Sequence, residues 1–174
     1  MSRTGLSQAE CAAVLRFWKE SRPPAEDALL RRLACLFRYD AVVEADPSDL
    51  LSFLQCDGKK VYLEGLKNGD VRTRLAQLNG STPVPISSAL LIVYLKCGLP
   101  ISAEGNAVRA MMTELRNAVP NASILHWVVY GNDFSSPVNF DLVVAEGFPK
   151  IPLSKPLLFE MTAEDIPAFL REIQ

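Results

Sequence analysis

Histidine occurs once in this 174-residue chain, at position 126. The four cysteines, at 11, 35, 56 and 97, lie 24, 21 and 41 residues apart, and no CxxC pair exists. A zinc site wants paired ligands at short spacing, so this pattern argues against metal binding. Free, buried thiols in a reducing compartment are the expectation. None of the nine glycines adjoins another, and neither GxGxxG nor GxxxxGK[ST] is present, which removes the common phosphate-cradling loops. GxSxG is missing too. His126, within Ile124-Leu125-His126-Trp127, therefore has no nucleophile motif beside it and reads as a hydrogen-bonded structural residue. No enzyme, cofactor or metal is expected.

Charge of one sign is also missing. Lysine and arginine total 18 against 20 acidic residues, a net of −2. Residues 1–60 carry nine of each sign, and residues 61–174 carry nine basic and eleven acidic side chains. No segment supplies the basic field that nucleic acid or an anionic membrane requires. The longest apolar runs, such as Ala89 to Leu95, are strand-length, so membrane insertion is not expected. Met1-Ser2-Arg3-Thr4 leads into polar sequence, with no signal-peptide pattern. With 49% apolar and 22% charged residues, the chain can bury a core, and a cytoplasmic location is the expectation.

What is present divides into two textures. Residues 1–58 read as a small helical bundle. Ser7-Gln8-Ala9-Glu10 is a capping box, followed by Cys11, Val14, Leu15 and Trp18 at i, i+3, i+4 and i+7. Pro23-Pro24 breaks the chain, and a second helix is expected over 26–37 with Leu29, Leu30, Leu33 and Phe37 buried. Asp46-Pro47 opens a third, an N-cap followed by proline at the first position, carrying Leu50, Leu51 and Leu54.

Residues 59–148 read as a mixed-sheet α/β sandwich. Strands are expected at 61–64, 88–96, 123–131 and 138–146, with helices at 69–78 and 104–119 packed on one face of the sheet. Val71, Leu75 and Leu78 mark the inner face of the first helix; Ala107, Val108, Met111, Met112 and Leu115 mark that of the second. A loop spans 79–86. The fold class is α/β (α+β). Residues 149–161, with prolines at 149, 152 and 156, form a short spacer.

The chain ends in Asp165-Ile166-Pro167-Ala168-Phe169-Leu170-Arg171-Glu172-Ile173-Gln174. An acidic start, a proline corner and the anchors Ile166, Phe169 and Leu170 are the form of a peptide that docks in a partner's groove. The same spacing also fits a terminal helix packed on its own domain and capped by Thr162. Pattern alone leaves both open.

Asp165 to Arg171 resembles the C-terminal tail peptide of the bacterial division protein FtsZ over seven consecutive residues. Further segments resemble the FtsZ/tubulin family in the family's order. Gly69-Asp70-Val71-Arg72-Thr73 is similar to its GTPase-activating loop. Ser88-Ala89-Leu90-Leu91-Ile92-Val93, Ala118 to Leu125, and Val143 to Phe148 are similar to strands of its C-terminal domain. The resemblance covers residues 60–174 and implies a C-terminal domain with a docking peptide at 162–174. The GTP-binding half is missing, and helices stand in its place. The activating loop normally presents two acidic residues to a neighbour's nucleotide. Here Asp70 fits the second, while Lys67 replaces the first, and a cation cannot polarise the attacking water as a carboxylate would.

The resemblance therefore implies a non-enzymatic relative of FtsZ that acts at the division site by binding. One face would be the loop with Lys67, Asp70 and Arg72, capping or sequestering FtsZ filaments. The other would be the tail, with Asp165, Ile166, Pro167, Phe169, Leu170 and Arg171 recruiting proteins of the FtsA, ZipA or MinC type, unless the short spacer lets it fold down on its own sheet. A different reading is a protein- or ligand-binding module related to FtsZ only by ancestry, with the helical region as its working surface.

Overall fold

The apolar run around Leu91 forms the middle strand of a five-stranded mixed sheet. The computed structural model describes residues 6–43, 47–79, 85–98 and 101–147. In chain order the elements are α1 (Gln8–Glu20), α2 (Asp27–Leu36), β1 (Asp40–Val43), α3 (Pro47–Gln55), β2 (Lys60–Leu66), α4 (Val71–Asn79), β3 (Ile86–Lys96), α5 (Ile101–Ala118), β4 (Ser123–Gly131) and β5 (Val138–Glu146). The sheet order is β1-β4-β3-β5-β2. β3 and β4 run parallel, as a strand–helix–strand crossover through α5 allows, and the other three pairings are antiparallel.

Local sequence explains most of these elements. Ser7 caps α1 as the pattern predicts: its hydroxyl accepts from the Glu10 amide at 3.3 Å, and the Glu10 carboxylate accepts from the Ser7 amide. α2 buries Leu29, Leu30, Leu33, Ala34 and Leu36, whereas Phe37 sits half-buried just beyond its end. Leu50, Leu51 and Leu54 of α3 are buried as expected; the Asp46 cap lies outside the described residues.

β3 alternates its contacts. Leu90 and Ile92 join Trp127, Val129, Val143 and Ala145 in a core closed by α1, α2 and α3. Ala89, Leu91, Val93 and Leu95 join Leu142 and Val144 in a second core closed by Val71 and Leu75 of α4 and Met111 and Leu115 of α5. Helices thus cover both faces, where the sequence pattern predicted one. A strand whose neighbouring residues are all apolar has two faces to bury, and only two layers satisfy it. The N-terminal helices supply the second layer.

Two further differences come from long-range contacts. Asp40–Val43, read as part of a helical region, pairs with β4 at the sheet edge. A chain of aromatic rings fastens the helices beside it: Trp18 lies 6.0 Å from Phe37, and Phe37 lies 4.6 Å from Trp127 in an edge-to-face arrangement. All four thiols are free, but only Cys11 is buried; Cys56 is half-buried, and Cys35 and Cys97 are exposed. Cys35 falls on the outward side of α2, and Cys97 in the turn that ends β3. Among the described residues, no helix is long and apolar enough to cross a membrane.

Because the N-terminal layer and the sheet share a core, truncating that layer should weaken the whole described fold. Leu33→Ala, at a fully buried site, is expected to cost about 2–5 kcal/mol. Urea unfolding followed by far-UV circular dichroism and by tryptophan fluorescence should shift together. A separate N-terminal transition with the sheet's midpoint unmoved would contradict the shared core.

Candidate functional site

The loop from β2 to α4 is anchored at both ends by apolar side chains. Leu66 and Val71 are buried, and between them Lys67, Asn68 and Gly69 are exposed. β2 leaves its regular pairing with β5 between Leu63 and Leu66, and Gly65 takes φ +64° in this irregularity. Gly69, at φ +96°, makes the second left-handed corner. Both conformations are readily adopted only by glycine, so the Gly65-Leu66-Lys67-Asn68-Gly69 spelling dictates where the chain bends.

A bent segment of this kind leaves amides without sheet or helix partners, and each such donor needs an acceptor. Three carboxylates meet the need. Asp141 of β5 accepts from the Gly65 amide at 2.8 Å. Asp70 accepts from the Lys67 amide at 3.1 Å, while its own amide donates back to the Lys67 carbonyl at 3.0 Å. Glu114 of α5 accepts from Gly69 at 2.6 Å and from Val71 at 2.9 Å. Every second amide from 65 to 71 is thus held by a carboxylate. Bonds of this charge-assisted type are worth about 1.5–3 kcal/mol each. Glu114 also places its charge at the N-terminus of α4, where the helix dipole favours an anion.

Asp141 has a second task. It is buried in the sheet, and besides Gly65 it accepts from the hydroxyls of Tyr62 and Tyr94, the latter at 2.9 Å. The Arg32 guanidinium of α2 lies 4.3 Å above the Tyr62 ring and pairs with Glu64 at 2.8 Å. This network ties β2, β3 and β5 to α2 and ends at the base of the loop. Burial, aided by Tyr94 and the Asp141 carboxylate, pushes the Tyr62 hydroxyl far above its ordinary range. Burial, first, and then Asp141 also push Tyr94 up, against an opposing effect of its contact with the Tyr62 hydroxyl.

The predicted site residues are distributed as follows. Lys67, Asp70 and Arg72 lie together on the turn and the first turn of α4. The Lys67 and Arg72 side chains are exposed, and among the described residues they make no side-chain hydrogen bond or ion pair. Asp70 is half-buried, and its carboxylate turns back onto its own loop. The face therefore presents cations outward. Asp165, Ile166, Pro167, Phe169, Leu170 and Arg171 lie outside the described residues, as does the spacer 149–161. His126 is exposed on β4.

Sequence reasoning missed Glu114 and Asp141. Asp141 carried a signal: a lone carboxylate inside the apolar run from Val138 to Ala145 must have partners. Glu114 carried none, since its role exists only where α5 lies against the start of α4.

No family model and no curated protein matches the sequence. Among solved structures, an empty FtsZ dimer from M. jannaschii is similar at 18% identity, over 70% of this chain and 37% of that one, with a TM-score of 0.45. A mutant of M. jannaschii FtsZ gives 18% identity, 70% and 39% coverage, and a TM-score of 0.46. A GTPγS-form TubZ protofilament from Bacillus thuringiensis serovar israelensis gives 12% identity, 94% and 47% coverage, and 0.44. The chain spans less than half the length of each of these proteins. No residue of the site is assigned from them.

The tyrosine network has a pH signature. Unfolded tyrosine ionises near 10, while both hydroxyls titrate higher in the fold. Their contribution is therefore fully present below pH 10 and is lost as pH rises beyond it. Lys60 acts oppositely: burial lowers its pKa from 10.5, so stability is gained as pH rises toward that value. Urea midpoints at pH 8, 10 and 11 should fall steeply only over the last interval. Tyr62→Phe with Tyr94→Phe should be less stable at pH 8 but should flatten that fall. An equally steep fall in the double variant would show that other groups cause it.

Proposed function

We propose that this chain is a non-enzymatic FtsZ-like protein that modulates bacterial cell division by binding. Its 67–72 face docks on FtsZ filaments, and residues 165–171 engage proteins that recognise the FtsZ tail. The observation that carries the filament half of the reading is the loop geometry: Lys67 and Arg72 are exposed, and the Asp70 carboxylate is engaged by the Lys67 amide. A loop so arranged offers a partner subunit cations to bind, while its single acidic residue is already hydrogen-bonded. The seven-residue match from Asp165 to Arg171 supports the tail half.

Residues 1–174 carry no glycine-rich phosphate loop, so docked by this face they would present no nucleotide-binding face of that type in return. Filament ends would then be capped, in the cytoplasm at the division site.

The test is pelleting of GTP-assembled FtsZ across a titration of this chain. Capping predicts loss of polymer well below one-to-one stoichiometry, and Lys67→Glu with Arg72→Glu should relieve it. These two positions are better choices for charge reversal than Asp70, whose carboxylate accepts from the Lys67 amide within the turn. Inhibition only near equimolar amounts would favour sequestration, and unchanged polymer would leave the tail as the binding element. Phe169→Ala with Leu170→Ala should abolish tail recognition, each anchor contributing about 2 kcal/mol or more at a binding hot spot. Unchanged binding of FtsA or ZipA by that double variant would end the tail reading.

A further inference from the structure

The exposed turn at 67–70 is held with more bonds than a surface turn needs to close. One backbone bond, from the Asp70 amide to the Lys67 carbonyl, already makes the turn. Glu114 adds two more from a different element, 43 and 45 residues away along the chain. It reaches the amides on either side of Asp70, those of Gly69 and Val71. Met111 and Leu115, its neighbours on α5, are fully buried and fix the helix from which it extends. At the other end of the loop the buried Asp141 holds Gly65.

Three carboxylates are thereby drawn onto backbone amides, and two cations of the same segment, Lys67 and Arg72, are left facing solvent. We infer that Glu114 is a positioning residue for the docking face: it presets the turn so that Lys67 and Arg72 meet the partner, whose complementary patch is anionic. This rests on the proposed docking of the 67–72 face. A preset loop loses less conformational freedom when it binds, so removing the clamp lowers affinity without touching a contact residue. Charge complementarity of this kind also makes association salt-sensitive.

The experiment compares the full chain with Glu114→Ala, Glu114→Gln and the Lys67→Glu/Arg72→Glu double variant. Amide hydrogen exchange at Gly69 and Val71 reads the clamp, and co-pelleting with GTP-assembled FtsZ at low and high salt reads docking. Glu114→Ala should speed exchange at both amides by about tenfold or more, the opening expected from losing two such bonds. It should weaken binding by about fivefold to tenfold through lost preorganisation. Glutamine retains an acceptor oxygen and should restore part of both effects. Binding of the unaltered chain should fall with added salt, and the double charge reversal should remove that dependence while leaving exchange at 69 and 71 unchanged.

Unchanged exchange in Glu114→Ala would overturn the clamp. Faster exchange with wild-type affinity would overturn positioning while leaving the docking face intact. Salt-independent binding of the unaltered chain would overturn the anionic partner patch. Failure of the unaltered chain to bind FtsZ at all would instead overturn the docking reading, and the inference with it.

Discussion

Everything in the described fold is arranged around a strand that has no outward face. Ala89, Leu90, Leu91, Ile92 and Val93 of β3 are completely buried, flanked by β4 and β5 and covered above and below. A β-strand alternates its side chains between two faces, so five consecutive apolar residues demand two apolar layers. The α4/α5 pair satisfies one face, and α1 to α3 satisfy the other. Without the N-terminal helices, Leu90, Ile92, Trp127 and Val143 would lie open to water. The helical region is therefore a structural necessity for this sheet, whatever its outward surface does.

The same constraint governs the loop. An apolar sheet admits few charged side chains, and Asp141 is tolerated because two tyrosine hydroxyls and one backbone amide satisfy it. That backbone amide belongs to Gly65, so the bond that makes the carboxylate acceptable in the core also pins the start of the exposed loop. Glu114 does the corresponding work at the loop's far end. The loop is on the surface, but the groups that shape it sit in the sheet and on α5. A surface loop built this way is held in shape while the Lys67 and Arg72 side chains stay exposed.

Much of this was legible in the residues. The capping box at Ser7, the stripes of the three N-terminal helices and the bounds of β4 and β5 follow from periodicity and turn chemistry, which act within a few residues. β1 was not legible: four residues from Asp40, directly after a helix, carry no alternation to detect, and only pairing with Tyr130, Val129 and Val128 makes them a strand. The exposure of Cys35 and Cys97 was also beyond a composition argument, which treats cysteine as a buried hydrophobe. At the candidate site, Lys67, Asp70 and Arg72 were marked by the resemblance alone; the expected helix over 69–78 in fact starts at Val71, and the bends at Gly65 and Gly69 were not read from the residues. The direction in which Asp70 faces was not legible either.

By itself the sequence determined most of the helices and strands, though not β1, and which residues are apolar enough for a core. Those properties come from backbone preference and side-chain hydrophobicity, which are local. Only the tertiary structure decided that the N-terminal helices roof the sheet, that Asp141 and Glu114 converge on one loop, and that the Asp70 carboxylate turns back onto its own loop while Lys67 and Arg72 stay exposed. Each of these depends on bringing together residues tens of positions apart, and the reason they meet is the burial demanded by β3 and its neighbours.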